Sequence, residues 1–253
     1  MKRLGVIGLA LAAAILAGCG GGSGGSTQST ATRSTATTAR STGFDSCLRP
    51  GPDVRVVKVA APGEQLPVVE LGSGGTTGVV FANQSASIAC GWLPYARNVA
   101  RSGVRSVVFD YGTASREGEV LAIAHWLHER GVHRVVVVGA SIGGRAVVTA
   151  AARARPGEVA AVVSLSGERI LGAQRDLIVD ARRLDVPTLW VSSLNDGYTN
   201  FGEETRQLYR AAKGKARPDQ LLLVGGDDHG IDLLTGPQAK KVVPAVTRFI
   251  HEN

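Results

Sequence analysis

Four consecutive valines, Val135 to Val138, run into Gly139-Ala140-Ser141-Ile142-Gly143 and then into an alanine-rich stretch from Ala146 to Arg155. Few sequences leave the backbone so little choice. The β-branched run reads as a strand buried on both faces, and the alanine-rich stretch as a helix that stops at Pro156-Gly157. No residues are left between them for a loop, so Ser141 must sit on the turn itself. A turn that tight brings backbone against backbone, and only glycine two positions before and after the serine leaves room for the crossing.

The same alternation continues through the chain. Residues 54–60 and 67–71 read as two short strands around a Pro-Gly turn, and 77–82 as a third, fully apolar one, which gives the domain an antiparallel start. Strands are then predicted over 106–110, 134–138, 160–165, 188–192 and 220–224. Helices are predicted over 93–101, 116–129, 142–154, 202–212 and 238–251. Repeated β-α-β units force a parallel sheet with helices on both faces. In the helix over 116–129, Val120, Leu121, Ala124 and Leu127 recur at core-facing spacing, while Glu119, Glu129 and Arg130 mark a wet face. His125 and His128 on that helix, and His133 after it, read as surface residues. Without clustered Cys, His or Asp spacing, neither a metal nor a cofactor is expected.

The N-terminus is an address. Lys2 and Arg3 precede an apolar stretch from Leu4 to Ala17, too short for the roughly 20 residues that cross a bilayer. Residues 1–18 therefore read as a signal peptide. Leu16-Ala17-Gly18-Cys19 resembles a bacterial lipoprotein lipobox, which implies that Cys19 becomes the lipidated first residue of an extracytoplasmic protein held to the cell membrane. Residues 20–43 contain almost only Gly, Ser, Thr, Ala, Gln and Arg, so 19–43 reads as a tether with a reach of about 25 to 30 Å. An exported chain meets an oxidising compartment, and the remaining pair, Cys47 and Cys90, is expected to form a disulfide. Closing that loop would add roughly 3 to 4 kcal/mol of stability in the chain-entropy account.

Residues 44–253 suit one domain with one core. The net charge of +7 falls to +5 without Lys2 and Arg3, and the arginines are scattered rather than clustered, which does not read as nucleic-acid recognition.

A serine hydroxyl needs a base to take its proton, and that base needs a carboxylate to fix its tautomer. His229 lies just after the strand over 220–224, in Gly-Gly-Asp-Asp-His-Gly. Asp196 lies just after the strand over 188–192, in Ser-Leu-Asn-Asp-Gly. Functional residues of an open parallel sheet gather beyond the carboxyl ends of its strands, and Ser141, Asp196 and His229 all occupy such loops. Asp227 and Asp228 are rivals for the acid but stand too close to His229 in sequence to orient its ring easily. Asp110 reads as a loop-structuring residue, and Asp180 and Asp185 precede a strand, on the wrong edge of the sheet. Trp92, Tyr95 and Tyr198 read as packing residues, with Tyr198 near enough to Asp196 to line a pocket.

On these residues the chain resembles an α/β-hydrolase from about Pro67 to the C-terminus, with the motif around Ser141 as its nucleophile elbow. The resemblance implies an eight-stranded, mostly parallel sheet, a Ser141-Asp196-His229 triad and an oxyanion hole of two backbone N–H groups, one of them from Ile142. The second donor comes from the loop after the third strand, where relatives often carry His-Gly and this chain has Asn83-Gln84-Ser85. Ser85 fits that position best, with Gln84 second. Only about 22 residues separate the strands over 160–165 and 188–192, too few for a large lid, as in lidless branches similar to dienelactone hydrolase. The expectation is a monomeric serine hydrolase acting on small or extended carboxylic esters. A peptidase or acyltransferase shares the same triad, and a surface binding protein could keep the fold without the activity.

Overall fold

The computed structural model describes residues 44, 46–49, 51–85, 89–198, 200–212 and 219–253. The proposed signal peptide, Cys19 and the tether lie outside the described residues. An eight-stranded sheet runs in the order β1-β2-β4-β3-β5-β6-β7-β8. The strands are β1 (Val54–Ala61), β2 (Glu64–Leu71), β3 (Thr77–Ala82), β4 (Arg105–Phe109), β5 (Arg134–Ala140), β6 (Ala161–Leu165), β7 (Thr188–Ser193) and β8 (Gln220–Val224). The β1–β2 hairpin joins β4 antiparallel, and every other pairing is parallel. This is the expected α/β-hydrolase architecture.

The valine run shows why. Val135 and Val137 point into one apolar cluster and Val136 and Val138 into the other, so β5 needs apolar side chains on both faces. Helices α1 (Leu93–Arg101) and α6 (Ala239–Glu252) cover the face of Val136 and Val138, the first core. Helices α2 (Arg116–His128), α3 (Ile142–Arg153), α4 (Ile178–Ala181) and α5 (Phe201–Ala212) cover the face of Val135 and Val137, the second core. The four residues of α4 are the only helix described between β6 and β7, in keeping with the short gap.

Cys47 and Cys90 are joined, with 5.8 Å between their Cα atoms. The bridge fastens the segment around Phe44, itself buried in the first core, to the short 3-10 turn Ala89–Trp92.

Two expectations for α2 are corrected. Glu119 does not face water: it is fully buried, and both of its carboxylate oxygens accept the Gly112 N–H at 3.2 Å. Helical spacing misplaced it because a buried acid with a loop amide to hold looks, in sequence, like any surface glutamate. Burial, opposed by the Gly112 N–H and reinforced by the nearby Glu64 carboxylate, raises its carboxyl to about 7. His128 is half-buried rather than superficial, with Nδ1 at the Val132 carbonyl (2.8 Å) and Nε2 at the Glu158 carbonyl (3.0 Å). It ties the end of α2 to the turns before β5 and β6.

Candidate active site

Ser141 stands at the junction of β5 and α3 with φ 54° and ψ −118°, a left-handed conformation that non-glycine residues adopt rarely and at a cost of about 1 to 3 kcal/mol. The surroundings over-determine it. A side chain at Gly139 would fall on the Gly143 carbonyl, and one at Gly143 would fall on the carbonyls of Ala82 and Asn83. The Ser141 N–H donates to the Leu165 carbonyl at 2.9 Å, so β6 fixes the turn from its other side.

Facing it, His229 Nδ1 lies 2.8 and 3.0 Å from the two carboxylate oxygens of Asp196. Both residues are buried, His229 beyond the end of β8 and Asp196 beyond the end of β7. Of the rival acids, the Asp228 carboxylate accepts from the Gln238 N–H at 3.3 Å, and the His229 ring bonds to Asp196 and to neither of them. The Tyr198 and Phe201 rings each pack 4.7 Å from the imidazole, which makes Tyr198 a wall of the site as well as a neighbour of Asp196.

The loop after β3 is held by its side chains. Asn83 Nδ2 donates to Asp110 (3.3 Å), which also accepts the Ala89 N–H at 2.6 Å, the loop-structuring part expected of Asp110. The Gln84 N–H is taken by the Asn83 side chain (3.1 Å), which removes Gln84 as a backbone oxyanion donor. Gln84 Oε1 instead accepts the Ile231 N–H at 3.0 Å, and a side chain at Gly230 would collide with it. The amide of Gln84 thus pins the histidine loop to the loop after β3. Neither Ile142 N–H nor Ser85 N–H has an acceptor among the described residues.

Three participants, and a fourth residue that supports the first of them, escaped the sequence reading. Glu168 is the first: the hydrogen bond of Ser141 Oγ runs to Glu168 Oε1 at 3.0 Å and not to His229. The position beyond the end of β6 that singled out Asp196 and His229 after their strands would have found it. Arg145, on the buried face of α3, fixes the segment by donating to the carbonyls of Glu168 (3.3 Å), Arg169 (2.8 Å) and Arg175, and to Gln174. Burial lowers the Arg145 pKa, while Asp180 and Glu168 act the other way. Ser166 is the second, with φ 47° and a fully buried side chain whose Oγ accepts the Gly230 N–H at 3.3 Å. Glu204, in the first turn of α5, is the third; burial raises its carboxyl, and the Arg169 N–H opposes this.

Gln84, Ser85, Ser141, Glu168, Ile170, Tyr198, Phe201, Glu204 and His229 line one open cleft of about 500 Å³.

A parallel sheet with this strand order and a strained serine between β5 and α3 is the α/β-hydrolase fold. Among solved structures, dienelactone hydrolase from Anabaena variabilis is similar, at 22% identity and a TM-score of 0.63, over 79% of this chain and 95% of that one. A thermostable carboxylesterase cloned from a metagenomic library is similar over 83% of this chain and 92% of that one (13% identity, TM-score 0.65). The monoacylglycerol lipase of Paleococcus ferrophilus is similar over 74% and 98% (14% identity, TM-score 0.62). No protein-family model and no curated protein matches the sequence.

Proposed function

We propose that this chain is a serine hydrolase that cleaves carboxylic esters through an acyl-enzyme on Ser141. The carrying observation is that a serine held in left-handed backbone conformation shares one cleft with a histidine already paired to a buried aspartate. His229 Nδ1–H donates its hydrogen bond to the Asp196 carboxylate, which leaves Nε2 as the base. Rotation of the Ser141 hydroxyl from Glu168 toward His229 starts the reaction: Oγ attacks the ester carbonyl as Nε2 takes its proton. The unpaired N–H groups of Ile142 and Ser85 are the donors for the oxyanion. His229 then hands its proton to the leaving alcohol; water admitted through the open cleft attacks the acyl carbon as Nε2 takes its proton, and the bond to Ser141 Oγ breaks with that proton returned to Oγ, releasing the acid.

The dienelactone hydrolase, carboxylesterase and lipase named above support hydrolysis as the class of chemistry. An extracytoplasmic protein anchored through Cys19 completes the reading, on the strength of the N-terminal sequence. A fluorophosphonate probe should label Ser141 in the folded protein and fail to label it after heat denaturation or in Ser141→Ala. A folded protein that stays unlabelled overturns the assignment and favours a surface binding protein. Asp196→Asn leaves the ring its neighbour but the wrong tautomer, and should lower kcat by roughly 10⁴-fold. A mild effect would return Asp227 and Asp228 to contention.

A further inference from the structure

The cleft's claim to a ligand rests on Ser141 and on His229, whose nine-tenths-buried ring brings its unpaired Nε2 to the same space. What else lines that space narrows the substrate. Two carboxylates, Glu168 and Glu204, stand in the wall, and no lysine or arginine is among the described lining residues. This runs against the protein's overall balance, a net charge of +7. Two cations lie behind the wall and direct their hydrogen bonds away from the cleft: the Arg169 guanidinium pairs with Asp176 at 2.6 Å and reaches Gln207, and Arg145 bonds to carbonyls and Gln174, so that they act on the Glu204 and Glu168 carboxylates only through space. Glu204 keeps the Arg169 backbone N–H, at 3.4 Å, as its hydrogen bond from that segment. A substrate carboxylate entering this open cleft would meet two acidic side chains of its own sign. An ammonium would meet two opposite charges and two aromatic rings, Tyr198 and Phe201, whose faces attract cations.

Resting on the esterase reading above, we propose that the ester cleaved at Ser141 carries an ammonium or alkylammonium group, held by Glu168 and Glu204 against the Tyr198 and Phe201 rings. Glu168 and Glu204 are specificity residues in this scheme. Repulsion of anionic esters contributes as much to selectivity as attraction of cationic ones.

The test uses charge isosteres with the purified protein. Butyrylcholine is compared with its all-carbon isostere, dimethylbutyl butyrate, which places the charge on the alcohol side. The p-nitrophenyl ester of trimethylammoniobutyrate is compared with its all-carbon isostere, which places it on the acyl side. Neutral p-nitrophenyl acetate is run in parallel with wild type and Ser141→Ala. In at least one pair the cationic ester should have the higher kcat/KM, by about tenfold at low ionic strength, and salt should erode the ratio. Glu204→Gln and Glu168→Gln, close in shape to the wild type, should each bring that ratio toward one. Ser141-dependent acetate turnover with ratios of one or below in both pairs would overturn the substrate class and leave the esterase standing. Absence of Ser141-dependent acetate turnover would overturn both.

Discussion

The two walls that meet over the candidate nucleophile are built on opposite principles. The turn at Ser141 is held by backbone against backbone: Gly139 lies on the Gly143 carbonyl, and Gly143 lies on the carbonyls of Ala82 and Asn83. The facing loop, Asn83 to Ser85, is held by side chains reaching outward, Asn83 to Asp110 and Gln84 to Ile231. Steric contact between main chains admits almost no substitution and leaves a signature in the glycines. A hydrogen-bonded side chain can be traded for another arrangement, so the second wall is where a chain of this fold can diverge. Here the arrangement is Asn83-Gln84-Ser85, with Gln84 acting as a cross-tie between loops.

The contrast can be broken most directly at Gly143. Gly143→Ala should destabilise the protein by about 3 kcal/mol or more and abolish labelling of Ser141, because the new methyl group has only backbone to displace. A variant that melts and labels like wild type would show that the turn has slack it does not display. Gln84→Met tests the softer wall. It keeps the bulk of the side chain, removes the acceptor for Ile231 N–H, and should lower kcat by about tenfold with a smaller change in KM. An unchanged kcat would leave the cross-tie without a catalytic consequence.

The smallest effect concerns pH. Glu119 holds Gly112, two residues beyond Asp110, and therefore supports the side-chain-built wall from behind. Its carboxyl is raised from 4.5 to about 7, so between those values the unfolded chain has released a proton that the folded one keeps. Stability contributed by this group is present below pH about 4.5 and declines as pH rises through about 7. Urea unfolding on either side of that window should show the decline in wild type and a flatter profile in Glu119→Gln; equal slopes would remove Glu119 from the account.

The parts of the fold that rest on main-chain sterics and on burial of both sheet faces were legible in the sequence. Val135 to Val138, the glycines around Ser141, and the loops carrying Asp196 and His229 announce themselves by pattern and order. Boundaries moved where pairing outlasted the apolar run: β5 continues through Gly139 and Ala140 because both still pair with β6. What stayed hidden were polar side chains whose partners are distant in sequence. Glu119, Glu168 and Glu204 look alike on the page, yet one braces a loop inside the core and two stand in the cleft. Their separate parts depend on which amide or hydroxyl the fold brings to them, Gly112 for the first and Ser141 for the second. Periodicity cannot report that, since it describes how a helix meets a core and not which loop crosses its end.

The left-handed backbone of Ser141 carries a historical implication as well. Glycine would occupy that position with less strain, and the strand, the helix and the crossing carbonyls would all remain. Under selection for stability alone, a serine at 141 is therefore an unstable choice, open to replacement by a simpler residue with a gain in folding free energy. A lineage that ceased to use the hydroxyl would have had a downhill route to lose it. Under the proposed role of Ser141 as nucleophile, the strained residue would be a record of that use written into the main chain.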